Sequence, residues 1–185
     1  MTQDHKYIWN GFSVSTIVSL LTGTKYDHID PKILKMAQQK GTCVHWQLET
    51  DIRKCICPGK ILAHINIADG MRKVRSLLFD KWNIPAKSKE GREVTVINEY
   101  LIGQIDLIVD SPKYTIIVDY KTTKDEHLES WKIQLVLYSW LAASPCSKTK
   151  YYIIHKNVLK EIKVSNDDYF KIVKKAKEII ELYGN

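Results

Sequence analysis

The 185-residue chain lacks any run of roughly 18 apolar residues, so no membrane-spanning helix is expected. Its first residues, MTQDHKYIWNGF, lack a basic stretch followed by an apolar one. No secretion signal is read there, and a cytoplasmic setting is expected. No internal repeat or low-complexity segment stands out. No G-x-x-x-x-G-K-[ST] loop is present, so the chain carries no nucleotide-driven motor of its own. Cysteine is scarce: Cys43, Cys55, Cys57 and Cys146. Cys55 and Cys57 form C-x-C, not the C-x-x-C spacing common in zinc sites, and only Cys146 lies in the C-terminal half. A chain of this size buries roughly 70% of its unfolded surface and needs neither disulfides nor a metal merely to fold. Reduced thiols are the expectation.

What is present is an ordinary globular composition, 44% hydrophobic and 26% charged, with a formal net charge of +7. That excess of base favours polyanionic partners through long-range attraction and counterion release. The length fits one domain, 1–185, with a mainly helical part over 1–90 and a sheet-and-helix core over 91–185.

Ser13 or Ser15 is placed to cap a short helix, SVSTIVSLL. Asp30 and Pro31 open a second, PKILKMAQQ. Gly41 is read as a break, and CVHWQLETDIRKCI as a third helix ended by Pro58-Gly59. A fourth spans about 61–82, with Ile67, Met71, Val74, Leu77, Leu78 and Trp82 on its apolar face. From Glu93 the period changes. EVTVINEYLIGQIDLIVD is extended in character, and a turn at 110–113 leads into YTIIVDYK. A buried helix is expected over about 126–143. Strands at 150–155 and 158–164 meet at Lys156-Asn157. An amphipathic helix at about 166–183 places Phe170, Val173, Ala176 and Ile180 on one side. The order implies an α/β layered fold with a mixed sheet.

The hairpin carries the chemistry. A turn at 110–113 sets Val109 opposite Tyr114 and Asp106 opposite Ile117. Asp119 then becomes a diagonal neighbour of Asp106, roughly 7–8 Å away at the backbone. Two acids at that distance can share one divalent cation, whereas a one-residue slip would put them on opposite faces. Lys121, two residues on, shares the face. Carboxylates among Ile105, Leu107, Ile117 and Val118 must be paired or bind metal. Mg²⁺ and Mn²⁺ prefer such oxygen ligands. A cation so held activates water and neutralises a phosphate, and a lysine adds positive charge where the reacting phosphate gains negative. A solvated Asp–Lys ion pair is the alternative for a bare D-x-K.

The segments GQIDLIVD, IIVDYKTT and WKIQLVLYSWL, with GTCVHWQLE upstream, resemble the RecB-type branch of the PD-(D/E)XK nuclease superfamily, over roughly residues 41–141. The resemblance implies a restriction-endonuclease-like core and a metal-dependent nuclease acting on DNA, of exonuclease type, using Mg²⁺ or Mn²⁺. It implies that Asp106, Asp119 and Lys121 are catalytic. His45, Asp106, Asp119, the Tyr120 carbonyl and Glu93 would hold metal. Gln134 and Tyr138, one turn apart on a helix, would position the site or a DNA phosphate. Glu49 and Glu99 are further acids near the pattern. Some relatives hold an iron–sulfur cluster through one cysteine before the core and three after it. The distribution here differs, and no such cluster is expected. DNA is the expected partner, with a replication or recombination protein beside it. Lys124, Lys148, Lys150 and the lysines of the last helix are candidates for a backbone track. The alternative is a nucleic-acid-binding or scaffolding subunit of a recombination or replication complex without turnover.

Overall fold

The first two helices of the computed structural model begin where a side chain takes a free N–H group of the first turn. The structure describes residues 11–23, 29–58, 61–84, 89–111 and 113–183. Gly59 and Pro112, expected in a helix stop and a turn, lie outside these, as do residues 1–10. Ser13 accepts from the Thr16 N–H and opens α1 (Val14–Thr22). Asp30 accepts from the Lys32 N–H at 2.7 Å, and Pro31 takes the first position of α2 (Pro31–Thr50).

α2 is one helix of 20 residues, which corrects the expected break at Gly41 and the separate helix after it. A glycine inside a helix costs only about 1 kcal/mol. Burial of Cys43, Val44, Gln47 and Leu48 beyond it outweighs that cost. The helix stops where Asp51 turns into the left-handed region at φ 54°. The Asp51 carboxylate there receives Arg75 at 2.8 Å and also Arg92. α3 (Leu62–Trp82) buries Ala68, Met71, Val74 and Leu78. Leu77, expected on that face, is exposed.

The strands are β1 (Phe12–Ser13), β2 (Lys89–Ile97), β3 (Leu101–Asp110), β4 (Thr115–Lys121), β5 (Thr149–His155) and β6 (Val158–Ile162). The extended stretch read as continuous from Glu93 is thus two strands. Asn98 separates them: its side-chain oxygen accepts from the N–H groups of Tyr100 and Leu101, both at 2.9 Å. β2 runs antiparallel along one edge of β3, while β1 and β4 share the other. β5 lies parallel to β4, so α4 (Leu128–Leu141) must cross between them. β6 returns antiparallel through Lys156 and Asn157, both at positive φ, as a two-residue turn requires.

The sheet separates two apolar layers. α1, α4 and α5 (Asn166–Tyr183) pack with Ile105, Ile117, Tyr151 and Ile153 on one side. α2 and α3 pack with Leu107, Val109, Ile116, Val118, Tyr152 and Ile154 on the other. This is the expected mixed-sheet architecture. α5 faces inward through Ile172, Val173, Ala176 and Ile180; Phe170, expected among them, is 68% exposed. Among the described residues, no helix is long and apolar enough to cross a membrane.

Candidate functional site

The β3–β4 register pairs Leu107 with Val118 and Asp110 with Thr115. That is two residues away from the expected pairing of Val109 with Tyr114. The connection is wider than a tight turn: both the N–H and the hydroxyl of Ser111 donate to the Tyr114 carbonyl. An even shift leaves every side chain on its face. The pairing ends at Leu107 and Val118, and Asp106 and Asp119 are the next residues on their two strands, close enough for the charge of one to act on the other. The β2–β3 register, with Arg92 opposite Leu107 and Val94 opposite Ile105, sets Glu93 opposite Asp106. Three acids thus line up across three neighbouring strands.

The ladder is distorted along that row. Glu93 has φ 50°, a conformation that costs a residue with a side chain on the order of 1–3 kcal/mol. The Tyr120 N–H donates to Asp106 Oδ2 at 2.6 Å. Ile105 packs into the α1/α4/α5 layer, yet Leu107 packs into the α2/α3 layer, so the facing of β3 changes beside Asp106. The distortion aims acids into one place where regular strands would spread them.

His45 reaches the row from α2. Its Nε2 lies 3.1 Å from the Tyr120 carbonyl oxygen. Its Nδ1 lies 3.1 Å from Asp106 Oδ1 and 3.4 Å from Glu93 Oε1. Burial works to lower the imidazole's pKa. The charge and hydrogen bond of Asp106, the hydrogen bond of Glu93 and the charge of Asp119 outweigh it and raise the pKa well above 6.5. As an imidazolium, His45 donates to a carboxylate and to a carbonyl. These oxygens gather around positive charge, and a divalent cation would compete with the His45 proton for them. One donor atom each from His45, Glu93 and Asp106 lies within 4.8 Å of the others. This acid-and-histidine group could hold a metal ion. Burial, with the charges of Asp106 and Glu49, raises the Glu93 carboxyl against the pull of His45.

Asp119 is 2% exposed. Burial and the charge of Asp106 push its carboxyl up to about 6 against the pull of Lys121. Its Oδ2 receives no well-directed hydrogen bond, although Lys121 Nζ stands 2.6 Å away. Gln134 of α4 fixes this pair. Its Nε2 donates to Asp119 Oδ1 at 3.1 Å, and its Oε1 accepts from Lys121 Nζ at 2.6 Å. The same Nε2 donates to the Tyr138 hydroxyl at 2.8 Å. Tyr138 is buried, so it braces Gln134 rather than facing solvent. Its ring explains a glycine of the G-x-I-D segment. A Cβ on Gly103 would stand 2.8 Å from Tyr138 Cε1 and 2.8 Å from Val14 Cγ2.

All eight residues singled out in the sequence therefore fall on one connected arrangement. Glu49 acts on it only as a charge beside Glu93. Glu99 sits in the β2–β3 turn beside Tyr100. Sequence reasoning missed His155. It is buried, its Nε2 lies 2.9 Å from the Thr123 carbonyl, and its ring is 5.1 Å from that of Trp131. It pins the chain just past Lys121, which it faces across β4 and β5. A histidine at a strand end carries no signal of that role. Several lysines of the proposed track are otherwise engaged. Lys150 lies over the rings of Trp82 and Tyr114, Lys177 lies over Trp140, and Lys174 approaches Glu178.

Comparison with protein-family models matches residues 27–182 to the PD-(D/E)XK nuclease superfamily. Comparison with curated proteins found no match. A solved structure, described as the crystal structure of SSO0001, is similar at 20% identity and a TM-score of 0.46, covering 97% of this chain and 80% of its own.

Proposed function

This chain belongs to the PD-(D/E)XK nuclease superfamily and has its restriction-endonuclease-like α/β fold, and from that premise we propose that it is a divalent-metal-dependent deoxyribonuclease of the RecB-like exonuclease type. Family membership supports a nucleic-acid substrate. The formal net charge of +7 supports a polyanion. The exonuclease reading rests on the RecB-type pattern of the motifs, and a place in DNA replication or recombination goes with it.

The donor set fits a hard cation: carboxylates, one carbonyl and one imidazole, with a buried Asp119 oxygen that lacks a directed hydrogen bond. Asp106, Asp119, Glu93, the Tyr120 carbonyl and His45 would hold Mg²⁺ or Mn²⁺. Such an ion, when bound, supplies an activated water and neutralises the phosphate. The chain's own residues do the rest. Lys121 brings an ammonium to the reacting phosphate and stabilises the charge that develops there. Asp119 and Gln134 fix that ammonium, so little reorganisation is left for the reaction itself. Tyr138 and Gly103 keep Gln134 in place. The observation that carries the reading is the row Glu93–Asp106–Asp119 with Lys121 2.6 Å from its last member.

The test is incubation of purified protein with linear and circular duplex DNA in Mn²⁺, Mg²⁺ or EDTA. Loss of the linear form from its ends in either metal, with none in EDTA, is expected. Cutting of circles would move the assignment to an endonuclease. Metal-dependent binding without strand loss would favour a non-catalytic module.

A further inference from the structure

The four residues Cys43, Cys55, Cys57 and His64 take no part in the arrangement above, and the fold gathers them in one place. Cys43 comes from α2, Cys55 and Cys57 from the chain after it, and His64 from the first turn of α3. Cys43 Sγ and Cys55 Sγ are 3.4 Å apart. His64 Nδ1 lies 3.8 Å from Cys55 Sγ and 3.5 Å from Cys57 Sγ. All four donor atoms lie within 4.8 Å of one another.

We propose that these three sulfurs and the His64 Nδ1 form a structural Zn²⁺ site. A tetrahedral zinc with Zn–S near 2.3 Å and Zn–N near 2.0–2.1 Å sets its sulfurs about 3.8 Å apart and each sulfur about 3.5 Å from the nitrogen. The separations of 3.4, 3.5 and 3.8 Å are close to those of ligands around one such ion. A disulfide needs about 2.05 Å between sulfurs and would leave the other two donors idle. An iron–sulfur cluster distributes its ligands over two or more irons and so spreads them wider than one shared ion does. Thiolates are soft ligands and select zinc over the hard cations suited to the acid row.

A buried amide points at the cluster. Gln47, wholly buried, directs Nε2 to Cys43 Sγ at 3.5 Å. On binding, three thiol protons leave and four metal–ligand bonds form, with no redox change. Four protein ligands close the coordination shell, so the site stabilises rather than catalyses. Its structural task follows from its place. It ties α2 to α3 two residues before His45, while Asp51 ties the end of α2 to Arg75 and Arg92. The helix that delivers His45 is thereby held on both sides of it.

The test is metal analysis and cobalt substitution on the full chain, independent of any DNA cleavage. Protein purified without chelator should carry about one zinc per chain, and Asp106→Ala, which removes a ligand of the acid row, should keep it. Cobalt in place of zinc should give the strong visible bands and sulfur-to-metal charge transfer of a tetrahedral thiolate site, in wild type and Asp106→Ala alike. Cys57→Ser, altering the half-buried ligand, should lose that spectrum. Stripping the zinc should lower Tm by about 5–10 °C. Four freely titrating thiols with no zinc and no cobalt spectrum in the wild type would overturn the proposal, whether or not Cys57→Ser folds. So would a Cys43–Cys55 disulfide in the purified chain, the broad visible absorption of an iron–sulfur cluster, or a cobalt spectrum unchanged in Cys57→Ser.

Discussion

α2 carries members of two clusters that differ in nearly every chemical respect. His45 joins Glu93, Asp106 and Asp119, a set of hard oxygens completed by one imidazole. Cys43, two residues earlier, joins two more thiols and His64. The first set lies on a distorted sheet beside a lysine and a glutamine that no metal would use. The second consists of four donors, with the amide of Gln47 beside one of them. The contrast teaches that ligand type and completeness, rather than proximity to a helix or a strand, separate a place where chemistry happens from a place that holds the fold. Position in sequence does not separate them.

The largest effect expected to sharpen this contrast is Asp106→Ala. It removes the carboxylate at the centre of the row, where Tyr120 and His45 both attach. Cleavage should fall on the order of a thousandfold, as when a charge-stabilising group is taken from a reaction site, while far-ultraviolet circular dichroism stays unchanged. Gln134→Ala should follow, with a loss of about 10–100-fold, the scale of a partner that orients ligands. Its signature is a fall in kcat with metal affinity reduced less, because Lys121 loses its anchor.

The pH dependence comes next. His45 and Asp119 both hold protons more tightly in the folded chain than in model compounds, Asp119 at about 6 against 3.8. For the metal-free chain the sign is set by that elevation. The stabilisation from protonated Asp119 is complete below 3.8 and disappears as pH rises through about 6. Cation binding runs the other way, because it must displace the protons. Mn²⁺ affinity measured by calorimetry should therefore fall by about tenfold for each proton taken up per pH unit below 6. A flat profile from pH 7 to 5 would remove Asp119 from the ligand set. The smallest effect is Gly103→Val. It drives side-chain atoms into Tyr138 and Val14 and should cost about 1–3 kcal/mol of stability by thermal or urea unfolding, without changing the pH profile.

The sequence yielded the acid row more readily than the sulfur cluster, for a physical reason. Asp106, Asp119 and Lys121 lie on adjacent strands joined by a short connection, so strand periodicity alone places them together. Even there the register was two residues off, because the Ser111–Tyr114 connection is wider than a tight turn. The even size of that error kept the faces right. Helix boundaries failed where tertiary packing overrode local preference, as at Gly41. The Asn98 turn is hard to read locally because Asn98-Glu99-Tyr100 holds neither glycine nor proline. The cysteines carry little local signal because C-x-C is not a familiar metal spacing. Their convergence depends on α2 and α3 closing together, and His64, the fourth donor, gives no local sign of it.

The central claim is that the acid row and Lys121 form one hydrolytic unit. Release of acid-soluble nucleotides from linear duplex in Mn²⁺ tests it most directly, comparing wild type with Asp119→Asn and Lys121→Ala. Asp119→Asn removes charge at nearly constant shape, and Lys121→Ala removes the ammonium together with its stem. Both variants should lose activity by at least about a hundredfold while melting as cooperatively as wild type. Wild-type rates in a folded Asp119→Asn variant would contradict the account.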